Sequence, residues 1–304
     1  MAAQSPVERS ESTQAPACQG PDRALRPPDW KLPAGSTDCH AHILGPASRF
    51  PFAKQRVYTP PDCTEQDYLA QLDALGIDRA VIVQPSVYGT DNRALLEVLE
   101  RAAIPLRAVV VVHPDITVAE LEHMHRLGVR GVRVNIVDVA DKRAELPMNL
   151  LSKLADQIAP FGWHLELLAH VQDYPDLALN ISQLNVPVVF GHFGYMHCRY
   201  GVKNPGFLAL LELMRAGKAW VKMTGPYRIS SESGPPYNDT IAYVEAVMAA
   251  NPEQLLWGSD WPHVMVKHVM PNDADLLNLF YRWVPDPDIR QQILVKNPAR
   301  LYGF

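Results

Sequence analysis

His40 and His42 are separated by a single residue in the segment Thr37-Asp38-Cys39-His40-Ala41-His42-Ile43. On an extended strand, alternate side chains share a face and lie about 6.5 Å apart, so the two imidazoles can act on one point. Such a pair can share a metal ion or hold one substrate oxygen. Two further candidates stand where apolar runs stop. His192 follows Val188-Val189-Phe190-Gly191, and Asp260 follows Leu255-Leu256-Trp257-Gly258-Ser259, with Pro262 turning the chain away. A carboxylate can take a proton from water, and imidazole N–H groups can stabilise a carbonyl oxygen as it becomes an oxyanion. With a bound ion instead, His40, His42 and Asp260 would serve as ligands and the ion would polarise the carbonyl. The residue types leave both routes open.

Arginines add a hint about charge. Arg130 and Arg133 flank the fourth apolar run, and Arg228 follows the seventh in Thr224-Gly225-Pro226-Tyr227-Arg228. Guanidinium binds carboxylate bidentately, so an anionic, dicarboxylate substrate suits them. Arg133 alternates with Val132 and Val134, which predicts that it faces inward. His197-Cys198 offers a weaker nucleophile reading, because it has neither a helix-start cysteine nor an orienting third group. His113, His123 and His125 read as structural or surface residues. His164, set among apolar residues, reads as packing.

The elements that must position these groups are short apolar runs alternating with amphipathic stretches. The runs are Thr37–Ile43, Ala80–Gln84, Leu106–Val112, Gly131–Ile136, His164–Leu168, Pro187–Gly191, Ala219–Met223 and Leu255–Ser259. Their near-continuous hydrophobicity suits strands covered on both faces. In the first run, alternation places Cys39 and Ala41 toward the helices. Helical patterns occupy 64–75, 91–102, 118–127, 148–158, 205–215 and 240–249. Eight strands alternating with helices predict a (β/α)8 TIM barrel over residues 35–304, with candidate groups at the C-terminal strand ends, where that fold carries its active site. No strand leads into a glycine-rich phosphate fingerprint, which argues against a dinucleotide-binding sheet. Residues 1–34 are rich in Pro, Ser and charge without periodicity, and predict a flexible N-terminal tail.

Composition narrows the function classes. The 304 residues are 47% hydrophobic and 20% charged, with a net charge of -5. No basic stripe invites nucleic acid. No run approaches the roughly 18 apolar residues of a membrane span. The amino-terminal stretch has no apolar core of a secretory signal. The four cysteines, at 18, 39, 63 and 198, show no paired spacing and fit reduced thiols in the cytoplasm. The expected partner is a small anionic molecule, bound by a monomer or homo-oligomer.

The motifs DCHAH (38–42), GHFG (191–194) and GSDWPH (258–263) resemble the amidohydrolase superfamily. The segments SRFPF (48–52), Tyr58-Thr59-Pro60, QPSVYGTDN (84–92) and GVRGVRVN (128–135) resemble its branch of pyrone-dicarboxylate and sugar-lactone hydrolases, across residues 37–304. That resemblance implies opening of a carboxylated lactone, in aromatic-compound catabolism, with Tyr58 and Ser86 joining the arginines as substrate contacts. Metal-dependent members usually add a histidine at the end of strand five. Here His164 stands at the start of that run and His170 two residues past it. The lactonases in question work without a divalent ion, so the resemblance implies that no cofactor is required. The alternative is a zinc-dependent amidohydrolase or decarboxylase acting on a related acid.

Overall fold

The apolar runs form eight parallel strands: β1 (Thr37–Ala41), β2 (Arg79–Val83), β3 (Leu106–Val110), β4 (Val129–Asn135), β5 (His164–Leu168), β6 (Val188–Phe190), β7 (Ala219–Met223) and β8 (Leu255–Trp257). In the computed structural model, which describes residues 15–137 and 145–304, they pair in the order β1 through β8. The seam between β8 and β1 is made by the chain just past β8. Asp260 N–H donates to His40 O at 2.8 Å, and His42 N–H to Trp261 O at 2.8 Å. Helices lie between the strands, giving the TIM barrel that the alternation predicts.

Four of the helices are α1 (Glu65–Leu75), α2 (Arg93–Arg101), α3 (Val118–Leu127) and α4 (Met148–Ile158). They are followed by α5 (Leu177–Ile181), α6 (Pro205–Arg215), α7 (Ile241–Ala250), α8 (Asp273–Trp283), α9 (Pro287–Gln291) and α10 (Asn297–Tyr302). Capping boxes start α1 and α3, from Thr64 with Asp67 and Thr117 with Glu120. At the bottom of the barrel, Arg107 donates to the carbonyl of Tyr302 and to that of Gly303. Its guanidinium also lies 4.9 Å from the Phe304 ring centroid. The carboxyl-terminal residues therefore cap the mouth opposite the strand ends that carry function. Among the described residues, no helix is long and apolar enough to cross a membrane.

Two expectations need correction. Cys39 does not face the helices. It clusters with Val81, Val83, Val109, Val189, Trp220, Leu256 and Tyr302, whereas the strand neighbours Ala80, Ile82, Ala108, Val188 and Leu255 belong to the separate helix-facing cluster. The cause is a register shift between Asp38 and Ala41 where β1 pairs with β2, because a bulge breaks strict alternation. The second concerns the predicted tail. Residues 1–14 lie outside the described residues, but 15–34 run along the barrel. Cys18 N–H donates to Thr59 O at 2.9 Å, Trp30 Nε1–H to Leu277 O at 3.3 Å, and Leu32 is buried. Extended, proline-punctuated chain can anchor through single apolar residues, which leave no periodic signal.

Candidate active site

Strand ends from three parts of the barrel meet at one point. The His40 ring centroid is 5.0 Å from that of His42 and 4.9 Å from that of His192. Asp260 Oδ1 faces all three rings, at 3.6 Å from His40 Nε2, 3.8 Å from His42 Nε2 and 3.8 Å from His192 Nε2. These distances exceed a hydrogen bond, and His40 Nε2 and Asp260 Oδ1 are buried without a partner among the described residues. The gap suits one interposed oxygen, from water or from a substrate carbonyl. It is held by unusual backbone: His192 has φ +50° and Asp260 φ +66°, values that non-glycine residues adopt sparingly and that cluster at functional sites. Gly225 makes room beside them. A Cβ there would stand 3.0 Å from His192 Nδ1 and 3.1 Å from Asp260 Oδ2.

The outer ring nitrogens decide what faces the gap. His42 Nδ1 lies 2.8 Å from Val83 O. A carbonyl only accepts, so Nδ1 carries the hydrogen and Nε2 presents a lone pair. His40 is the opposite case. Its Nδ1 lies 3.1 Å from Lys222 Nζ, which also donates to Glu166 Oε2 at 2.6 Å. Glu166 Oε1 is farther from that Nδ1, at 3.4 Å. An ammonium only donates, so the shorter contact favours Nδ1 as acceptor with the His40 hydrogen on Nε2, aimed at the gap, while the Glu166 carboxylate competes for a hydrogen on Nδ1. His192 Nδ1 is 2.7 Å from Thr224 Oγ1.

Electrostatics sets the charge states. Burial drives all three imidazoles below their ordinary range, with Lys222 adding to the effect on His40, His40 and Arg133 on His42, and Arg228 on His192. The three rings are therefore neutral near pH 7. Burial opposes ionisation of Asp260, but Arg228 and the surrounding histidines hold its carboxyl well below the usual range. Glu166 is also held well below, by Lys222 against the cost of burial. Among the described residues, His40, His192 and Asp260 are the group placed to hold a cation, with one donor atom from each within 4.8 Å of the others.

The predicted substrate contacts divide. Tyr58, buried and hydrogen-bonded to Ser86, lies within the fields of Arg133 and Arg228. Arg133 faces inward as alternation predicts. Its Nη1 donates to Gln84 O at 3.0 Å, its Nε has no partner among the described residues, and with Ser86 it lines a cavity of about 320 Å³. Arg228 lines a second cavity, of about 330 Å³, with Tyr195, Tyr227, Lys267 and His268. It is also tied to the site itself, donating from Nε to Asp260 Oδ2 at 2.6 Å. Arg130 is not brought to the site. It stands near the start of β4, with Nη1 donating to the carbonyl of His125 and to that of Val129. Three residues of strand separate it from Arg133 by about 10 Å along the barrel axis.

Other residues fall as follows. His164 is buried packing against Tyr302, its ring pushed down to about 4 by burial. His170 Nδ1 sits 3.2 Å from Tyr195 O, outside the cation-type group. Burial pushes the Cys198 thiol up to about 12, which leaves no thiolate for a nucleophile. The sequence reading missed Glu166, Lys222, Thr224, Tyr227, His263 and Asp273. Glu166 and Lys222 did leave a signal, since each is a lone charge inside an otherwise apolar strand.

A sequence profile of the family described as Amidohydrolase matches residues 37–304. The chain is 37% identical to 4-sulfomuconolactone hydrolase of Hydrogenophaga intermedia, over 95% of each chain. It is 37% identical to a 2-pyrone-4,6-dicarboxylate hydrolase of Comamonas testosteroni, over 90% of this chain and 92% of that one. A crystal structure of a candidate 2-pyrone-4,6-dicarboxylic acid hydrolase from Pseudomonas putida superposes with a TM-score of 0.77 at 35% identity, covering 90% of this chain and 98% of that one. The profile match and these full-length similarities agree with the barrel and its cluster of strand-end histidines: the chain belongs to the amidohydrolase family.

Proposed function

We propose that this protein is a lactonase that opens the ring ester of an anionic lactone with water activated by Asp260, and that it needs no metal. The observation that carries the reading is the gap between Asp260 Oδ1 and the three imidazole Nε2 atoms, at 3.6–3.8 Å. A water in the gap can donate one hydrogen to Asp260 Oδ1 and another to the His42 Nε2 lone pair, leaving an oxygen lone pair for the carbonyl carbon. His40 Nε2–H then donates to the carbonyl oxygen as it becomes an oxyanion. When the tetrahedral adduct collapses, the ring C–O bond breaks, and the proton taken by Asp260 goes to the departing ring oxygen. Because its pKa is low, Asp260 acts mainly by holding the water and receiving the proton as the oxyanion forms.

Two anchors support an anionic substrate: Arg133 with Tyr58 and Ser86 on one side, and the free face of Arg228 on the other. The names of the two curated relatives denote hydrolases of a sulfonated lactone and of a pyrone dicarboxylate, both cyclic esters with anionic groups. The donor set suits a divalent ion poorly, because Lys222 commits His40 Nδ1 as acceptor and leaves Nε2 without a lone pair to ligate. The zinc-dependent alternative is favoured by one observation, the compact His40–His192–Asp260 group. Four free cysteines fit a reducing cytoplasm.

The test is a panel of carboxylated lactones, assayed with and without chelator and with the Asp260→Asn variant. At least one lactone should be opened, EDTA should leave turnover largely intact, and Asp260→Asn should lower kcat by about 10²–10⁴-fold. Loss of activity in EDTA with recovery on zinc transfers the reading to the metal-dependent alternative. An Asn variant with ordinary turnover removes Asp260 from the role of base.

A further inference from the structure

The two oxygens of Asp260 are treated very differently. Oδ1 has no hydrogen-bond partner among the described residues and faces the gap. Oδ2 accepts from Arg228 Nε at 2.6 Å and from Tyr227 Oη at 2.7 Å. The Arg228 contact is an ion pair of the known site, but Tyr227 leads elsewhere. Its Oη is hydrogen-bonded to His263 Nδ1 at 2.8 Å, and His263 Nε2 lies 3.1 Å from Asp273 Oδ1 as an ion-pair contact not aligned as a hydrogen bond. His263 and Asp273 are 0% and 1% exposed, and nothing in the reaction above uses them. They lie on separate elements: His263 follows β8, and Asp273 is the first residue of α8.

Proton counting gives the chain a direction. An ionised Asp260 can only accept, so the single phenolic hydrogen of Tyr227 goes to Oδ2. The phenol oxygen must then accept from His263 Nδ1–H. On the far side of the ring, the buried Asp273 carboxylate lies 3.1 Å from Nε2 and faces the imidazole edge. Burial together with the Asp260 charge holds the Tyr227 hydroxyl well above its ordinary range, so it stays a donor. The backbone is fixed by the same turn, with His263 N–H donating to Asp260 O at 2.8 Å. A role limited to helix capping does not account for this arrangement. Asn272 already caps α8, and an acid serving only the helix dipole would not need burial against an imidazole.

We propose that Tyr227, His263 and Asp273 are positioning residues, forming a chain that holds Asp260 by Oδ2 and leaves Oδ1 as its water-binding oxygen. The inference rests on Asp260 being the base. None of the three touches the reacting atoms. Asp273 orients His263, His263 supplies the hydrogen bond that fixes the Tyr227 hydroxyl, and Tyr227 sets the rotation of the carboxylate plane.

The test is a double-mutant cycle on the full chain with a carboxylated lactone that the wild-type protein opens. Tyr227→Phe keeps the ring and removes the hydroxyl; Asp273→Asn keeps the shape and removes the charge. Each should lower kcat about ten-fold with KM within about two-fold, because water activation suffers and substrate binding does not. In the Tyr227→Phe background, Asp273→Asn should have almost no further effect on kcat, since it acts through that hydroxyl. A multiplicative, roughly hundred-fold loss in the double variant overturns the chain. So does an Asp273→Asn variant with lowered melting temperature and unchanged kcat. If Asp273→Asn does not fold, His263→Gln completes the same cycle. Asp260→Asn is run alongside. Full activity there refutes the base assignment, whereas an inactive Asp260→Asn with an additive cycle refutes the chain alone.

Discussion

Replacing Lys222 by Met should damage catalysis in a way that replacing its partner Glu166 by Gln does not. The two side chains are 0% and 2% exposed and 2.6 Å apart. Removing either charge strands the other in the interior, which typically costs about 3–5 kcal/mol. Both variants should therefore lose stability by similar amounts in urea melts. Their effects on His40 differ. In Glu166→Gln, Lys222 still donates to His40 Nδ1, and the hydrogen remains on Nε2. In Lys222→Met, Nδ1 is left beside the Glu166 carboxylate, whose Oε1 is 3.4 Å away. The ring then places its hydrogen on Nδ1 to meet that charge, and Nε2 can no longer donate to the developing oxyanion. Loss of one such donor costs about 10²–10³ in kcat. Glu166→Gln should lose no more than about ten-fold, since the donor stays in place. Steady-state hydrolysis of a carboxylated lactone gives the kinetic comparison, and nitrogen NMR of the His40 ring reports which atom is protonated. If the two variants lose kcat by the same factor, Lys222 is only a stabilising ion-pair partner and the assignment of His40 as oxyanion donor fails.

The remaining predictions concern charge and pH. Arg133→Met should lower kcat/KM by roughly ten- to a hundred-fold on a carboxylated lactone and little on a neutral one, as expected for loss of a charge-assisted contact. Arg228→Met should instead slow both substrates, because its Nε also holds Asp260 Oδ2; equal selectivity changes in the two variants would contradict this division. In kcat/KM against pH, the active form has neutral imidazoles and an ionised Asp260; burial lowers the imidazoles, whereas Arg228 and the histidines hold Asp260 low against the effect of burial. Activity should therefore persist as pH falls through 6.5 and decline only below it, and an acid limb centred at 6.5 or above would show that the rings are not held neutral. Asp38→Asn should destabilise the fold by about 2–4 kcal/mol in urea. Ser259 N–H, Ser259 Oγ, Tyr68 Oη and His40 N–H all donate to that carboxylate, and an amide would turn a donor toward donors; an unchanged midpoint would refute that account of the β1–β8 seam.

The sequence alone carried the period-based information. Continuous apolar runs marked all eight strands, because strands covered on both faces need hydrophobic residues throughout. Stop signals marked the strand ends, and His40, His42, His192 and Asp260 stood there. Helices α5, α8, α9 and α10 were not read, two of them being only five residues long, too short to display a helical stripe. The alternation rule placed Arg133 correctly and Cys39 wrongly, because a bulge is a pairing event between strands and does not show in one strand's own pattern.

Only the tertiary structure decided how charges pair. Lys222, Glu166 and His40 come from β7, β5 and β1, with Lys222 and His40 182 positions apart. Arg228, read as a substrate anchor, is turned onto Asp260, whereas Arg130, only three residues from Arg133, stands toward the opposite mouth. The identities of these residues fix what each can donate or accept. Which hydrogen faces the gap depends on the neighbour of each ring's outer nitrogen, and that neighbour is supplied by barrel closure, which brings side chains of strands distant in sequence to about 3 Å from one another.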